Sequence, residues 1–185
     1  FDLAALDEYT VEAGRPDCTD AEKLRIIKQY GATRISINPQ TFSDEVLRNI
    51  GRRHTAQDII DCFAAARAAG HTNINMDLIA GLPGDTVEGF TASLRQAIAL
   101  DPENITVHTL TLKRASNLVV EHRAAAYDDV SAMLESCREL ADVGYRPYYM
   151  YRQKGTLQNL ENIGWAKPGC ECLYNIYIME EIHTI

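Results

Sequence analysis

The stretch "NINMDLIAGLPGDTVEGFTASLRQAIAL" (residues 73–100) decides the fold. Ile74, Met76 and Leu78 alternate with Asn73, Asn75 and Asp77, so residues 73–81 read as a strand with one apolar and one polar face. Residues 85–100 read as a helix, with Asp85 as its cap, Glu88 three residues on, and Asp101-Pro102 as its stop. Between them, "GLPG" (81–84) either brings backbone close to a ligand or simply makes a tight turn.

The same beat extends in both directions. Residues 8–14 alternate as a strand, and residues 19–31 follow as a helix with Thr19 as cap, Glu22 closing a capping box and Gly31 after the last turn. Residues 33–40 form the next strand, followed by helices at 43–51 and 55–70. A strand is expected at 104–113, a helix at 125–144, an extended segment at 145–153 and a last helix near 174–183. Strands alternating with helices imply βαβ units and a parallel sheet with right-handed crossovers. In such folds the carboxyl ends of the strands and the loops after them form the ligand-binding rim.

Parallel strands covered on both faces should be apolar throughout. Three of these are not. Ile35 and Ile37 oppose Arg34, Ser36, Asn38 and Gln40, while Tyr9, Val11 and Ala13 oppose Thr10 and Glu12. The polar face is either solvated, or an internally satisfied network, or the lumen of a barrel that receives a polar ligand. Burial of Glu12 and Asp77 without partners would cost several kcal/mol, which favours a lumen and a ligand with amine, hydroxyl and amide groups.

The bulk properties narrow the classes. The chain has 46% hydrophobic and 24% charged residues, the balance of an ordinary globular domain. A net charge of −8 disfavours a general nucleic-acid binder. No apolar run approaches the roughly 20 residues that cross a bilayer, and no signal segment opens the chain. Five scattered cysteines suit a reducing cytoplasm better than a disulfide framework. Cys170 and Cys172 form a C-x-C pair that matches no well-specified metal spacing.

The motifs "EYTVEAGRPD", "RISINPQTFSDEVLRNIGRRHT", "NINMDLIAGLPGDT" and "ITVHTLTLKRAS" occur in that order. Together they resemble the later strands of radical SAM enzymes, and more closely the oxygen-independent coproporphyrinogen III oxidase (coproporphyrinogen dehydrogenase) group. The tail "YRPYYMYRQKGTLQNLENIGWAKPG" resembles one bacterial branch of it. The resemblance implies an α/β fold, part of a (β/α) partial TIM barrel with parallel strands and outer helices. Residues 1–153 would be the barrel core and residues 154–185 a C-terminal extension of the same domain. The cofactors it implies are a [4Fe–4S] cluster and S-adenosyl-L-methionine, whose reductive cleavage gives a 5′-deoxyadenosyl radical. Hydrogen abstraction from a substrate propionate, with loss of carbon dioxide and an electron, would leave a vinyl group on a tetrapyrrole in haem biosynthesis. An electron donor would be a further partner. A haem-binding or haem-delivery relative of the same barrel type is the alternative.

By the same resemblance Glu12 matches a contact to a first S-adenosylmethionine. Gln40, Arg52 and Asp77 match contacts to a second. Thr111 falls where the family has a small residue near the first. The strand glutamate, the strand-end glutamine and the aspartate already stood on polar faces, and arginine suits a ligand carboxylate. No catalytic residue is assigned. Arg53 and His54 are expected at a helix C-terminus, His108 in the core, the tyrosines of "RPYYMYRQ" in packing, and Lys113 and Arg114 either in a solvated loop or near substrate propionates.

The family's C-x-x-x-C-x-x-C motif and its glycine-rich turn are absent from these residues. An internal fragment that is inactive by itself is therefore expected, its cluster ligands lying upstream. The strand near 8–14 should have an unpaired edge, open to another chain.

Overall fold

The computed structural model describes residues 5–111, 129–152, 154 and 156–181. Its elements are β1 (Thr10–Gly14), α1 (Ala21–Gln29), β2 (Arg34–Gln40), α2 (Asp44–Asn49), α3 (Ala56–Ala68), β3 (Ile74–Ala80), α4 (Val87–Leu100) and β4 (Asn104–Thr109). These are followed by α5 (Val130–Ser136), α6 (Arg138–Asp142), β5 (Arg146–Tyr151), β6 (Asn162–Ala166) and α7 (Leu173–Met179). Lys113, Arg114 and the start of the helix expected from 125 lie outside the described residues.

The strands form a six-stranded sheet in the order β1-β2-β3-β4-β6-β5. β1 to β4 pair in parallel, in sequence order. β6 departs from the all-parallel expectation: it runs antiparallel to both β4 and β5, so the hairpin folds back and slots its second strand into the sheet. Five residues with Gly164 at their centre carry too little alternation to show as a strand. Among the described residues β1 pairs with β2 alone and ends the sheet.

The apolar strand faces explain the helical layer. Ile35, Ile37, Ile74, Met76, Leu78, Ile105 and Val107 are buried together with Leu24 of α1, Ile59 and Phe63 of α3, Phe90 and Leu94 of α4, and Met133 of α5. Each such side chain contributes roughly 1.5–3 kcal/mol on burial. The alternation therefore fixes which face the helices cover and leaves the other face to α7 and a cavity.

Two caps differ by one residue from expectation. Asp20, not Thr19, accepts from the Lys23 N–H at the start of α1 (2.7 Å). The Thr19 hydroxyl instead donates to the Ala13 carbonyl (2.6 Å), tying the helix entrance to the end of β1. At α4 the cap is Thr86, which accepts from the Gly89 N–H (3.0 Å). Asp85 accepts from the Thr86 N–H (3.0 Å). The "GLPG" turn is packed from within. Gly81 has φ +87°, and a Cβ there would lie 2.8 Å from Leu157 Cδ1 and 3.0 Å from Val130 Cγ2. Its glycine is required by protein packing and a left-handed backbone, so the tight turn, rather than close approach to a ligand, accounts for it.

Candidate functional site

The polar strand faces line a cavity of about 410 Å³, with Thr10 and Glu12 of β1, Arg34 of β2, Asn75 and Asp77 of β3, and Thr106 and His108 of β4 along its walls. β5 contributes Tyr149 and Tyr151, and α7 covers one side with Tyr174, Asn175, Ile178 and Met179. This volume falls within the range of small-molecule sites.

A chain of hydrogen bonds joins the two acidic groups across three strands. Asn38 Nδ2 donates to Glu12 Oε2 (3.4 Å), and Ser36 Oγ donates to Asn38 Oδ1 (2.9 Å). Asn75 Nδ2 donates to Ser36 Oγ (2.9 Å) and to Asp77 Oδ1 (2.6 Å). Thr106 Oγ1 donates to Asn75 Oδ1 (2.9 Å). The register makes the chain possible, since Glu12 aligns with Ser36 and Ser36 with Asn75. Period-two alternation on each strand then stacks these side chains on one face. Donors orient both carboxylates while leaving their remaining lone pairs for a ligand.

His108 is half-buried on the cavity wall, with Nε2 3.8 Å from Asp77 Oδ2. It is not a core residue, because it shares the face of Thr106 rather than that of Val107. The tyrosines do more than pack. A register shift between Pro147 and Tyr149 breaks the alternation of β5, and Tyr148 and Tyr149 meet edge to face with centroids 4.9 Å apart. Tyr149 stacks on Tyr151 at 6.3 Å. The Tyr149 ring lies over Gly164 of β6, where an added Cβ would run into it. Tyr149 and Thr106, two strands apart, both line the cavity. Burial, then the neighbouring Tyr148, pushes the Tyr149 phenol up, and the nearby Thr106 hydroxyl opposes them.

The remaining sequence candidates stand elsewhere. Gln40 is the last residue of β2, buried with φ 70° where the strand turns away, and its Nε2 donates to the Asn38 carbonyl (3.5 Å). That turn is anchored to α4 because Ser93 Oγ accepts from the Phe42 N–H (3.0 Å). Arg52 is half-buried just after α2, and neither it nor Gln40 lines the cavity. Thr111 forms an antiparallel bridge with Thr156, also off the cavity. Glu12 and Asp77 are thus brought together, whereas Gln40, Arg52 and Thr111 are not in that hollow. His54, expected at a helix C-terminus, packs inward instead. It is buried, with Nε2 3.4 Å from the Pro39 carbonyl and Nδ1 3.6 Å from Asp17 Oδ1. Arg34, His108, Asn75, Thr106 and Tyr149 were missed as site residues, although the polar faces of β2 and β3 already displayed Arg34 and Asn75.

The five cysteines offer no cluster site. All are free thiols, and no group of His, Cys, Asp and Glu suited to a metal ion occurs among the described residues. Burial pushes the Cys62 thiol up to about 11 and the Cys137 thiol to about 12, the opposite of a thiolate ligand. Cys172 is buried and donates to Glu8 Oε1 (3.3 Å). A [4Fe–4S] cluster therefore does not fit this chain's own cysteines. S-adenosylmethionine does fit the cavity's donor set, which offers carboxylates to amine and hydroxyl groups, a guanidinium to a carboxylate, and aromatic rings to a base.

The pattern of the Radical SAM superfamily matches residues 5–97, just over half of the 185 residues. The chain belongs to that superfamily, and its fold is a partial (β/α) barrel of that type. Over its whole length it is similar to the oxygen-independent coproporphyrinogen-III oxidase-like protein HemZ of Bacillus subtilis (strain 168), at 48% identity over 188 residues that make up 38% of HemZ. It is 32% identical over 178 residues to the heme chaperone HemW of Escherichia coli (strain K12), covering 94% of this chain and 43% of HemW. Among solved structures, the Escherichia coli coproporphyrinogen III oxidase HemN, described as a radical SAM enzyme, matches with a TM-score of 0.70 at 22% identity. That match covers 94% of this chain and 38% of HemN, and it speaks for the fold. The chain spans about two fifths of the length of these relatives. Among the described residues, no helix is long and apolar enough to cross a membrane.

Proposed function

We propose that this chain forms the S-adenosylmethionine-binding and substrate-facing wall of a radical SAM oxidoreductase that decarboxylates the propionates of coproporphyrinogen III to vinyl groups. The observation that carries the reading is the shared cavity of Glu12 and Asp77, joined by the Asn38–Ser36–Asn75 chain. The likeness to HemZ supports coproporphyrinogen as the substrate class. When bound, S-adenosylmethionine supplies a sulfonium that one-electron reduction converts into a hydrogen-abstracting radical. The chain's own part is to bind, orient and exclude water. Glu12 and Asp77 accept from ligand amine and hydroxyl groups, and Asn75 holds the Asp77 carboxylate in place. Glu12 would serve a first S-adenosylmethionine, with Thr111 near it, and Asp77 a second, which Gln40 and Arg52 would meet from beyond the cavity. The cluster is held by polypeptide other than these 185 residues, and the end of the sheet at β1 is where such polypeptide would add.

The likeness to HemW favours a second reading, a haem-handling protein without this turnover. An anaerobic assay of the complete, cluster-loaded protein with reductant, S-adenosylmethionine and coproporphyrinogen III separates the two. Protoporphyrinogen formation supports the first reading; haem uptake without turnover overturns it in favour of the second. Asp77→Ala is expected to weaken S-adenosylmethionine binding by about 1–3 kcal/mol, measured calorimetrically. Unchanged binding would remove Asp77 from the site.

A further inference from the structure

Arg34 begins β2 and lines the cavity, yet it is only 3% exposed. Its Nε has no hydrogen-bond partner among the described residues. None of the ion pairs among those residues involves it. A buried guanidinium is costly unless an anion and hydrogen-bond acceptors compensate it. The acids nearest in sequence register do not serve. Glu12 is two residues further along the sheet and accepts from Asn38, and Asp77 is held by Asn75. Glu8, two residues the other way, already accepts from the Thr10 hydroxyl, the Cys172 thiol and the Leu173 N–H, and no ion pair among the described residues joins it to Arg34. The charge of Arg34 does reach its neighbours: burial pushes the Tyr148 phenol and the Cys172 thiol up, and Arg34 opposes both.

We infer that Arg34 anchors a carboxylate-binding subsite at the amino-terminal end of the cavity. The inference rests on the cavity being a ligand site, but not on which of its ligands reaches this end. Carboxylate chemistry follows from the surroundings. One planar fork matches one carboxylate in two parallel hydrogen bonds. Glu12 and Asp77 on the same walls would repel a multiply charged phosphate but would welcome the amine or hydroxyl groups of a ligand that carries a single carboxylate into this end. Register sets the length of that ligand. Ile35 aligns with Ile74, so Arg34 stands level with Asn73, four residues before Asp77 along β3. At about 3.3 Å per residue, a ligand touching both ends spans on the order of 13 Å. The methionyl carboxylate of S-adenosylmethionine and a propionate of a tetrapyrrole both offer the required group.

The test follows the Arg34 Nε–H signal in isotopically labelled protein by NMR, with Arg34→Lys to assign it. The probes are S-adenosylmethionine with its decarboxylated form, and coproporphyrin III with its tetramethyl ester. The Arg34 signal should move with an acid and stay still with the counterpart that lacks free carboxylates. Arg34→Gln should weaken that acid about tenfold or more and leave the counterpart within about twofold. Arg34→Lys, which keeps charge and loses the fork, should fall between. A response to S-adenosylmethionine assigns the methionyl carboxylate; a response to coproporphyrin assigns a propionate. If either acid binds while the Arg34 signal stays still and Arg34→Gln changes nothing, the subsite is overturned and the cavity reading stands. If neither acid binds the native protein, both are overturned. Should Arg34→Gln fail to fold, the signal of the native protein decides alone.

Discussion

A methyl group at position 164 has nowhere to go. The Tyr149 ring crosses that position, so Gly164→Ala must displace the ring or the strand. Overpacking of this kind costs about 1–3 kcal/mol. Urea denaturation should show that loss, and Gly164→Ala combined with Tyr149→Ala should be less destabilised than the sum of the single changes. The sequence displayed Gly164 and the tyrosines but gave no sign that they meet, because nothing local couples residue 149 to residue 164. Arg34 is the complementary case. Its place on a polar strand face was legible, whereas the lack of a hydrogen-bond partner at its Nε depends on what the neighbouring strands and α7 bring to it.

At the scale of elements, helix caps separate local from non-local causes. At α3, Thr55 Oγ1 accepts from the Asp58 N–H (3.2 Å), and Asp58 Oδ2 accepts from the Thr55 N–H (2.7 Å). That reciprocal box holds the Asp58 carboxyl below its ordinary value, through the Thr55 backbone N–H first and the hydroxyl second. Thr55→Ala should cost about 1 kcal/mol in chemical denaturation. It should also raise the Asp58 pKa in an NMR titration without restoring it fully, since the backbone donor stays. At α1 and α4 adjacent residues both had capping side chains, and the choice fell on Asp20 and Thr86. Thr19 was needed elsewhere, at the Ala13 carbonyl, a contact between elements that sequence spacing does not record.

At the scale of the molecule, His71 ties the start of β3 to α1 through the Leu24 carbonyl (2.9 Å). Burial pushes its imidazole below the ordinary 6.5; the Leu24 bond opposes this and the Lys28 charge adds to it. The folded protein therefore takes up this proton less readily than the unfolded chain. The stability linked to His71 is fully present above about pH 6.5 and is lost as pH falls through its lower folded value. Unfolding free energies measured at pH 7.5 and 5.5 should differ in that direction, and His71→Gln should shrink the difference.

The sequence alone determined the strand–helix alternation, the parallel run β1 to β4, the face buried against the helices, and the membership of Glu12 and Asp77 in polar stripes. Those are consequences of periods of two and 3.6 residues, which a linear chain carries locally. The tertiary structure decided the insertion of β6, the passage of Tyr149 over Gly164, and the seating of α7, where Glu8 accepts from the Leu173 N–H across 165 positions of sequence. It also decided which stripe residues share the cavity and which, like Gln40, leave it at a turn. Each of these depends on the free energy of contacts between distant segments, and no local pattern encodes it.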